Sequence, residues 1–105
     1  MSRSPTITDP ERLRNAHAGE LLWSEFMEPL GMSAGDLARQ LRMPRERVEA
    51  VIDGARPIDG ELDLRLSRYF RMSEGFFLRL QNSYELLEAR RALNGDLDRI
   101  VPRAA

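Results

Sequence analysis

The sequence predicts one small all-α domain of five helices with a helix-turn-helix at its centre. Three observations predict it. Apolar residues recur at spacings of three and four, with no alternating run that would make a strand. Proline, glycine or a capping serine or aspartate stands wherever that spacing breaks. Near the middle, two helical segments of roughly nine and ten residues flank a turn of about three.

The chain has 105 residues, enough for one core and not two. Its apolar content is 42% and its charged content 31%, the balance of a folded globular protein. The composition holds no cysteine and one histidine, His17, so it offers no disulfide, thiol nucleophile or zinc set, and no cofactor is called for. No apolar run is long enough for a membrane span, and the N-terminus lacks a secretory pattern, so a cytoplasmic location is expected. With no phosphate loop and only surface carboxylate pairs, Asp96/Asp98 and Glu85/Glu88, an enzyme is not expected. The net charge of −1 argues against a protein that coats nucleic acid without selectivity.

Residues 1–16 carry Ser4, Pro5, Thr6 and Pro10 among scattered charges and read as a mobile arm. The domain proper is expected over 17–93. From Gly19 a helical pattern begins, with Leu22 and Phe26 one turn apart, and Pro29 and Gly31 end it. Trp23 lies just outside that stripe. It reads either as core filler aligned with Met27 and Leu30 or as an aromatic anchor for a partner.

Ser33 caps the second helix, with Asp36 three residues on and Met32 and Leu37 at staple positions. Leu37, Ala38 and Leu41 form its inner stripe. Pro44 closes that helix and opens the third. Val48, Val51 and Ile52 face inward there, and Gly54 supplies the left-handed stop. The reading unit therefore spans about 33–54. Asp59 caps the fourth helix (Leu62, Leu66, Tyr69, Phe70), and Ser73 caps the fifth, with Met72 and Phe77 at staple spacing. The fifth helix runs through Phe76, Leu80, Tyr84 and Leu87 to about Leu93, where Asn94 and Gly95 end it. Its length, roughly 30 Å, exceeds what its own core can cover. A dimer interface is expected on Leu80, Tyr84 and Leu87, joined by Ile100 and Val101 of the tail at 94–105.

The third helix points Glu46, Glu49, Ala50 and Asp53 outward, flanked by Arg45 and Arg47. From Arg39 to Arg56, five arginines face three carboxylates, a locally positive segment suited to phosphates. Ser33, Arg42, Arg45, Arg47, Glu49, Ala50 and Arg56 are the candidate DNA-binding residues. Arg45 or Arg47 can fork onto guanine, and Glu49 can accept from cytosine.

The order of segments resembles a known family. His17-Ala18-Gly19-Glu20 is similar to its His-Pro-Gly-Glu opening, and Glu28-Pro29-Leu30-Gly31-Met32-Ser33 matches its Glu-Pro-Leu-Gly-hydrophobic-Ser joint. Asp53-Gly54-Ala55-Arg56 resembles Asn-Gly-Lys-Arg, and Leu64-Arg65-Leu66-Ser67-Arg68-Tyr69-Phe70 resembles the family's fourth helix. Ser73-Glu74-Gly75-Phe76-Phe77-Leu78-Arg79-Leu80-Gln81 resembles its Ser-Pro-Glu-Phe-Trp-Leu-Asn-Leu-Gln run. Together these resemble the HigA-type antitoxins of toxin–antitoxin modules, within the Xre/Cro-like helix-turn-helix group. The resemblance implies a dimer joined through the C-terminal region. It also implies two partners: a toxin, typically an mRNA endonuclease, and a palindromic operator on which the protein represses its own operon. The alternatives are a stand-alone transcriptional regulator and an antitoxin that has lost DNA binding.

The chain departs from the family pattern at Ala34 (often glutamine), Arg42 (a turn glycine), Glu49 (a small hydroxyl residue), Ala55 (lysine) and Asp63 (a small apolar residue). The first and fourth remove expected phosphate contacts, and Glu49 changes base readout.

Overall fold

The computed structural model of the protein describes residues 15–104, and every regular element among them is helical. The helices are α1 (Ala18–Leu21), α2 (Ala34–Leu41), α3 (Arg45–Ile52), α4 (Gly60–Phe70) and α5 (Phe76–Leu93). Residues 1–14 of the expected arm lie outside the described residues. Asn15, near its end, donates from Nδ2 to the Tyr84 carbonyl at 2.7 Å and to Glu88 at 3.2 Å.

His17 caps α1. Its Nδ1 accepts from the amides of Gly19 (3.0 Å) and Glu20 (3.3 Å), while Glu20 Oε1 accepts from the His17 amide (3.1 Å). This closes a capping box with an imidazole in place of the usual hydroxyl. Gly19 has a separate reason to be glycine. A Cβ there would lie 1.8 Å from the Val51 carbonyl oxygen, so α1 crosses α3 backbone to backbone.

The first segment is not one continuous α-helix. After α1 the chain widens into a π-helical stretch, Leu22–Met27, and tightens to a 3-10 turn, Glu28–Leu30. The amide of Glu28 donates to the Trp23 carbonyl, five residues back. The wider turn brings Leu22 and Met27 onto one buried face. Trp23 is thereby rotated out of line with Met27 and is 39% exposed, and Leu30 is exposed too, so Trp23 is not core filler.

In α2 the Ser33–Asp36 box forms as expected, with both hydrogen bonds at 3.0 Å. The helix ends on Arg42, a non-glycine residue at φ 60°. That conformation costs an L-residue about 1 kcal/mol relative to glycine. Pro44 is the extended residue before α3, and Gly54 follows it at φ 81°. Asp59 caps α4 by accepting from the Leu62 amide at 2.9 Å.

Ser73 does not cap α5; the helix begins after Gly75, and no side chain within that segment caps it. Its free amides are taken by Asp63, from the first turn of α4. Asp63 Oδ2 accepts from the Gly75 amide at 2.6 Å, and Oδ1 from those of Phe77 (2.8 Å) and Leu78 (3.0 Å). Ser73 Oγ instead accepts from Arg79 at 3.0 Å. Asp63 is 1% exposed. A carboxylate is tolerated at that depth because helix N-terminal donors have no intrahelical partners and carry the positive end of the helix dipole.

The core joins Leu22, Met27, Leu37, Leu41, Val48, Val51, Ile58, Leu62, Leu66 and Phe77. Phe26, Phe70, Phe76 and Phe77 pack as an aromatic cluster at its α5 edge. Phe77 is the only buried residue of α5. Leu80, Tyr84 and Leu87 are half-buried, and from Glu88 onward every described residue is exposed.

Candidate nucleic-acid interface

Helices α2 and α3 pack on each other, with their outer residues on one surface. Arg45, in the first turn of α3, passes over α2 at Gly35, where a Cβ would stand 3.3 Å from its Cδ. Its Nε meets Glu49 Oε2 at 3.2 Å, one turn along the same face. The Nη edge of Arg45 has no partner among the described residues, and its two N–H groups suit guanine O6 and N7. Glu46 and Asp53 are exposed beside it; Glu49 and Ala50 are half-buried.

The structure separates the seven candidates from the sequence. Arg45, Glu49 and Ala50 share the outer part of α3. Ser33 sits at the start of α2, its hydroxyl accepting from Asp36. The Asp36 carboxyl is held below its ordinary range, first by the Ser33 amide, then by the Ser33 hydroxyl, with Arg39 adding to it. The start of α2, where helix geometry would welcome a phosphate, therefore already carries a carboxylate.

Arg47 is committed to the fold. Its side chain is 11% exposed and its Nη2 reaches Asp59 Oδ2 at 3.0 Å and the Pro57 carbonyl at 3.4 Å. The Asp59 carboxyl is held low by the Leu62 amide first and by Arg47. Arg47 thus locks the α3–α4 loop and does not join Arg45. Arg42 stands on the other flank of α2, in a groove against α4. Arg56 is exposed on the loop after Gly54, its amide fixed on the Ala50 carbonyl at 3.1 Å.

Pairing alters the charge read from the sequence. Of the five arginines between 39 and 56, Arg39 pairs with Asp36 (2.8 Å), Arg45 with Glu49 and Arg47 with Asp59. Arg42 and Arg56 have no ion pair among the described residues. The outer flank of α3 is therefore nearly neutral, with Arg56 an unpaired cation beside the exposed carboxylates Glu46 and Asp53.

Sequence reasoning missed one participant and left two others unresolved. Gly35 lets Arg45 lie close to α2. Trp23 lines a cleft of about 270 Å³ with Ala34, Glu49, Ile52 and Asp53, which puts an aromatic beside the outer face of α3; the π-turn that turns it there leaves no mark in residue spacing. Asp63 was visible only as a departure. Among the described residues there is no cluster able to hold a metal ion, and no helix is long and apolar enough to cross a membrane.

Comparison with known proteins adds the family. No protein-family model matches the chain. The virulence-associated protein I of Dichelobacter nodosus is 36% identical over 70 residues, 67% of this chain and 65% of that protein. This chain thus spans just under two thirds of that relative's length. The solved Pseudomonas aeruginosa antitoxin HigA with the higBA promoter is 30% identical, with a TM-score of 0.77 over 88% of this chain and 100% of that one. An addiction module antidote protein of the HigA family from Coxiella burnetii is 34% identical, with a TM-score of 0.78 over 87% of this chain and 99% of that one.

The chain belongs to the HigA antitoxin family.

The resemblance read from the sequence is thereby established, and the geometry explains parts of the HigA pattern. In the opening His17-Ala18-Gly19-Glu20, His17 and Glu20 make the cap, and Gly19 permits the crossing with α3. In the joint at 28–33, Gly31 turns left-handed at φ 65° and Ser33 caps α2.

Proposed function

We propose that this protein is the antitoxin of a two-gene module. It acts by binding and not by catalysis, in the cytoplasm, on two partners: the operator of its own operon and a toxin of the mRNA-endonuclease type. The observation that carries the reading is Arg45, whose side chain crosses Gly35 from the first turn of α3 and keeps its Nη edge open, in a fold shared with a HigA solved on promoter DNA. On this reading α3 enters the major groove with Arg45 on a base pair, while Ser33 and Arg56 meet phosphates. Two copies joined through α5 and the tail bind a palindrome with half-sites about one helical turn apart. The exposed Leu86, Leu93, Leu97, Ile100 and Val101 extend the interface expected on Leu80, Tyr84 and Leu87.

Gel-shift titration on the DNA upstream of the gene tests it. Binding should exceed that on scrambled DNA by roughly a thousandfold or more; equal affinity on both overturns the DNA half. Co-expression with the neighbouring gene tests the toxin half. A gene that is harmless alone contradicts it and leaves a stand-alone regulator. One observation favours the alternative of an antitoxin without DNA binding: the Arg45–Glu49 and Ser33–Asp36 contacts set carboxylates on the surface that DNA would meet.

A further inference from the structure

Helix α2 has a second flank. Gly35 faces Arg45 and the outer surface of α3, whereas Gln40 faces α4 across a groove of about 490 Å³. Gln40, Arg42, Leu64, Arg65, Arg68 and Tyr69 line it, and no carboxylate does. Arg65 is the fixed member: it pairs with Glu61 at 3.0 Å and donates from Nη1 to the Leu41 carbonyl at 2.8 Å. Arg42 and Arg68 have no ion pair among the described residues. On α4 the neighbours of Arg68 one turn away are Leu64, Arg65, Arg71 and Met72, so its position serves no intrahelical pair. Arg42 occupies a left-handed position where glycine is favoured, and strain kept at a charged surface residue is a pointer to use.

We propose that this groove docks an acidic segment of a partner protein, one that carries an apolar side chain between its carboxylates. Arg42 and Arg68 supply unpaired guanidinium groups that can fork onto carboxylates. Leu64, 49% exposed, and Tyr69, 38% exposed, supply an apolar wall in the same groove. Tyr69 is held edge-on against Phe70 at 4.9 Å, so the wall is formed in advance. A phosphate backbone would use the arginines and leave the leucine and the tyrosine ring without a role. The groove also lies on the flank of α2 away from Arg45. The inference does not depend on the DNA reading.

Fluorescence anisotropy of the full chain with a labelled eight-residue peptide alternating glutamate and leucine, against the same peptide with glutamine, tests it. The glutamate peptide should bind the wild type more tightly, and the double variant Arg42→Gly, Arg68→Gln should weaken it by roughly tenfold. Arg42→Gly alone should raise the melting temperature, which shows that lost binding is not lost folding. A random 12-base-pair duplex should bind both proteins equally. Equal binding of the two peptides, or an unchanged double variant, overturns the proposal. So does a double variant that loses the duplex as much as the peptide, since the groove would then be a phosphate track. Failure on the operator with the peptide result intact would defeat the DNA reading and leave this one standing.

Discussion

The packed part of the molecule, from His17 to about Leu80, and the part beyond it use their side chains in opposite ways. In the first, polar groups are spent on the chain's own backbone: His17, Ser33, Asp59 and Asp63 each satisfy the start of a helix, and Arg47 ties a loop. In the second, Leu86, Leu93, Leu97, Ile100 and Val101 are exposed, with Val101 at 85%. In the first region the exposed apolar residues, Trp23, Leu30, Leu64 and Tyr69, stand beside a packed core, whereas from Glu88 onward no described residue is buried. An apolar strip of this kind on a folded domain marks a place for another protein surface. Stability belongs to the first region, and on the reading proposed above the second is where two copies would join.

The largest effect should come from Asp63. Asp63→Ala leaves three amides at the start of α5 without acceptors, and it should cost about 3 kcal/mol or more in urea unfolding. Asp63→Asn, which keeps one acceptor oxygen, should cost less. A loss below about 1 kcal/mol for alanine would mean that α5 is anchored by its aromatics alone.

Asp59 should come next, at about 1 kcal/mol for Asp59→Ala, as for other N-caps. Its folded carboxyl titrates below the unfolded one, because the Leu62 amide and Arg47 favour the charged form. Its contribution is therefore complete above the unfolded aspartate value and is lost as pH falls through the lower folded value. Melting curves of wild type and Asp59→Ala should converge on acidification through that window. A gap that stays constant down to the acid limit would assign the loss to packing.

In the second region the double variant Ile100→Ser, Val101→Ser should change the unfolding midpoint of dilute protein by less than about 0.5 kcal/mol. Light scattering should report a lower mass than wild type at the same concentration. Equal masses would remove the tail from the interface.

What could be read from the sequence divides along the same physical line. Caps made within four residues, such as Ser33 on Asp36 and Asp59 on Leu62, are written in local spacing and were legible. So were the two helices within 33–54 and the buried residues of α2 and α3. The cap of α5 was not, because Asp63 reaches it from twelve to fifteen residues away, while Ser73 offered the local pattern without the contact. Trp23 was ambiguous for a similar reason: a π-turn adds a residue to the repeat, and apolar spacing reads alike whether the period is four or five. The candidate site was legible as a set of arginines but not as a charge distribution. Arg47 could be told from Arg45 only when the α3–α4 loop brought Asp59 to it.

The proposed reading of DNA by α3 through Arg45 is tested most directly by a salt series on operator and scrambled duplexes with wild type and Arg45→Ala. The account predicts an operator preference that Arg45→Ala reduces by about 1–3 kcal/mol at one base position. It also predicts a shallow salt slope, because each phosphate contact contributes about −0.9 and the outer flank of α3 retains few unpaired cations. A wild type that binds both duplexes alike, with Arg45→Ala indistinguishable from it, would contradict the account.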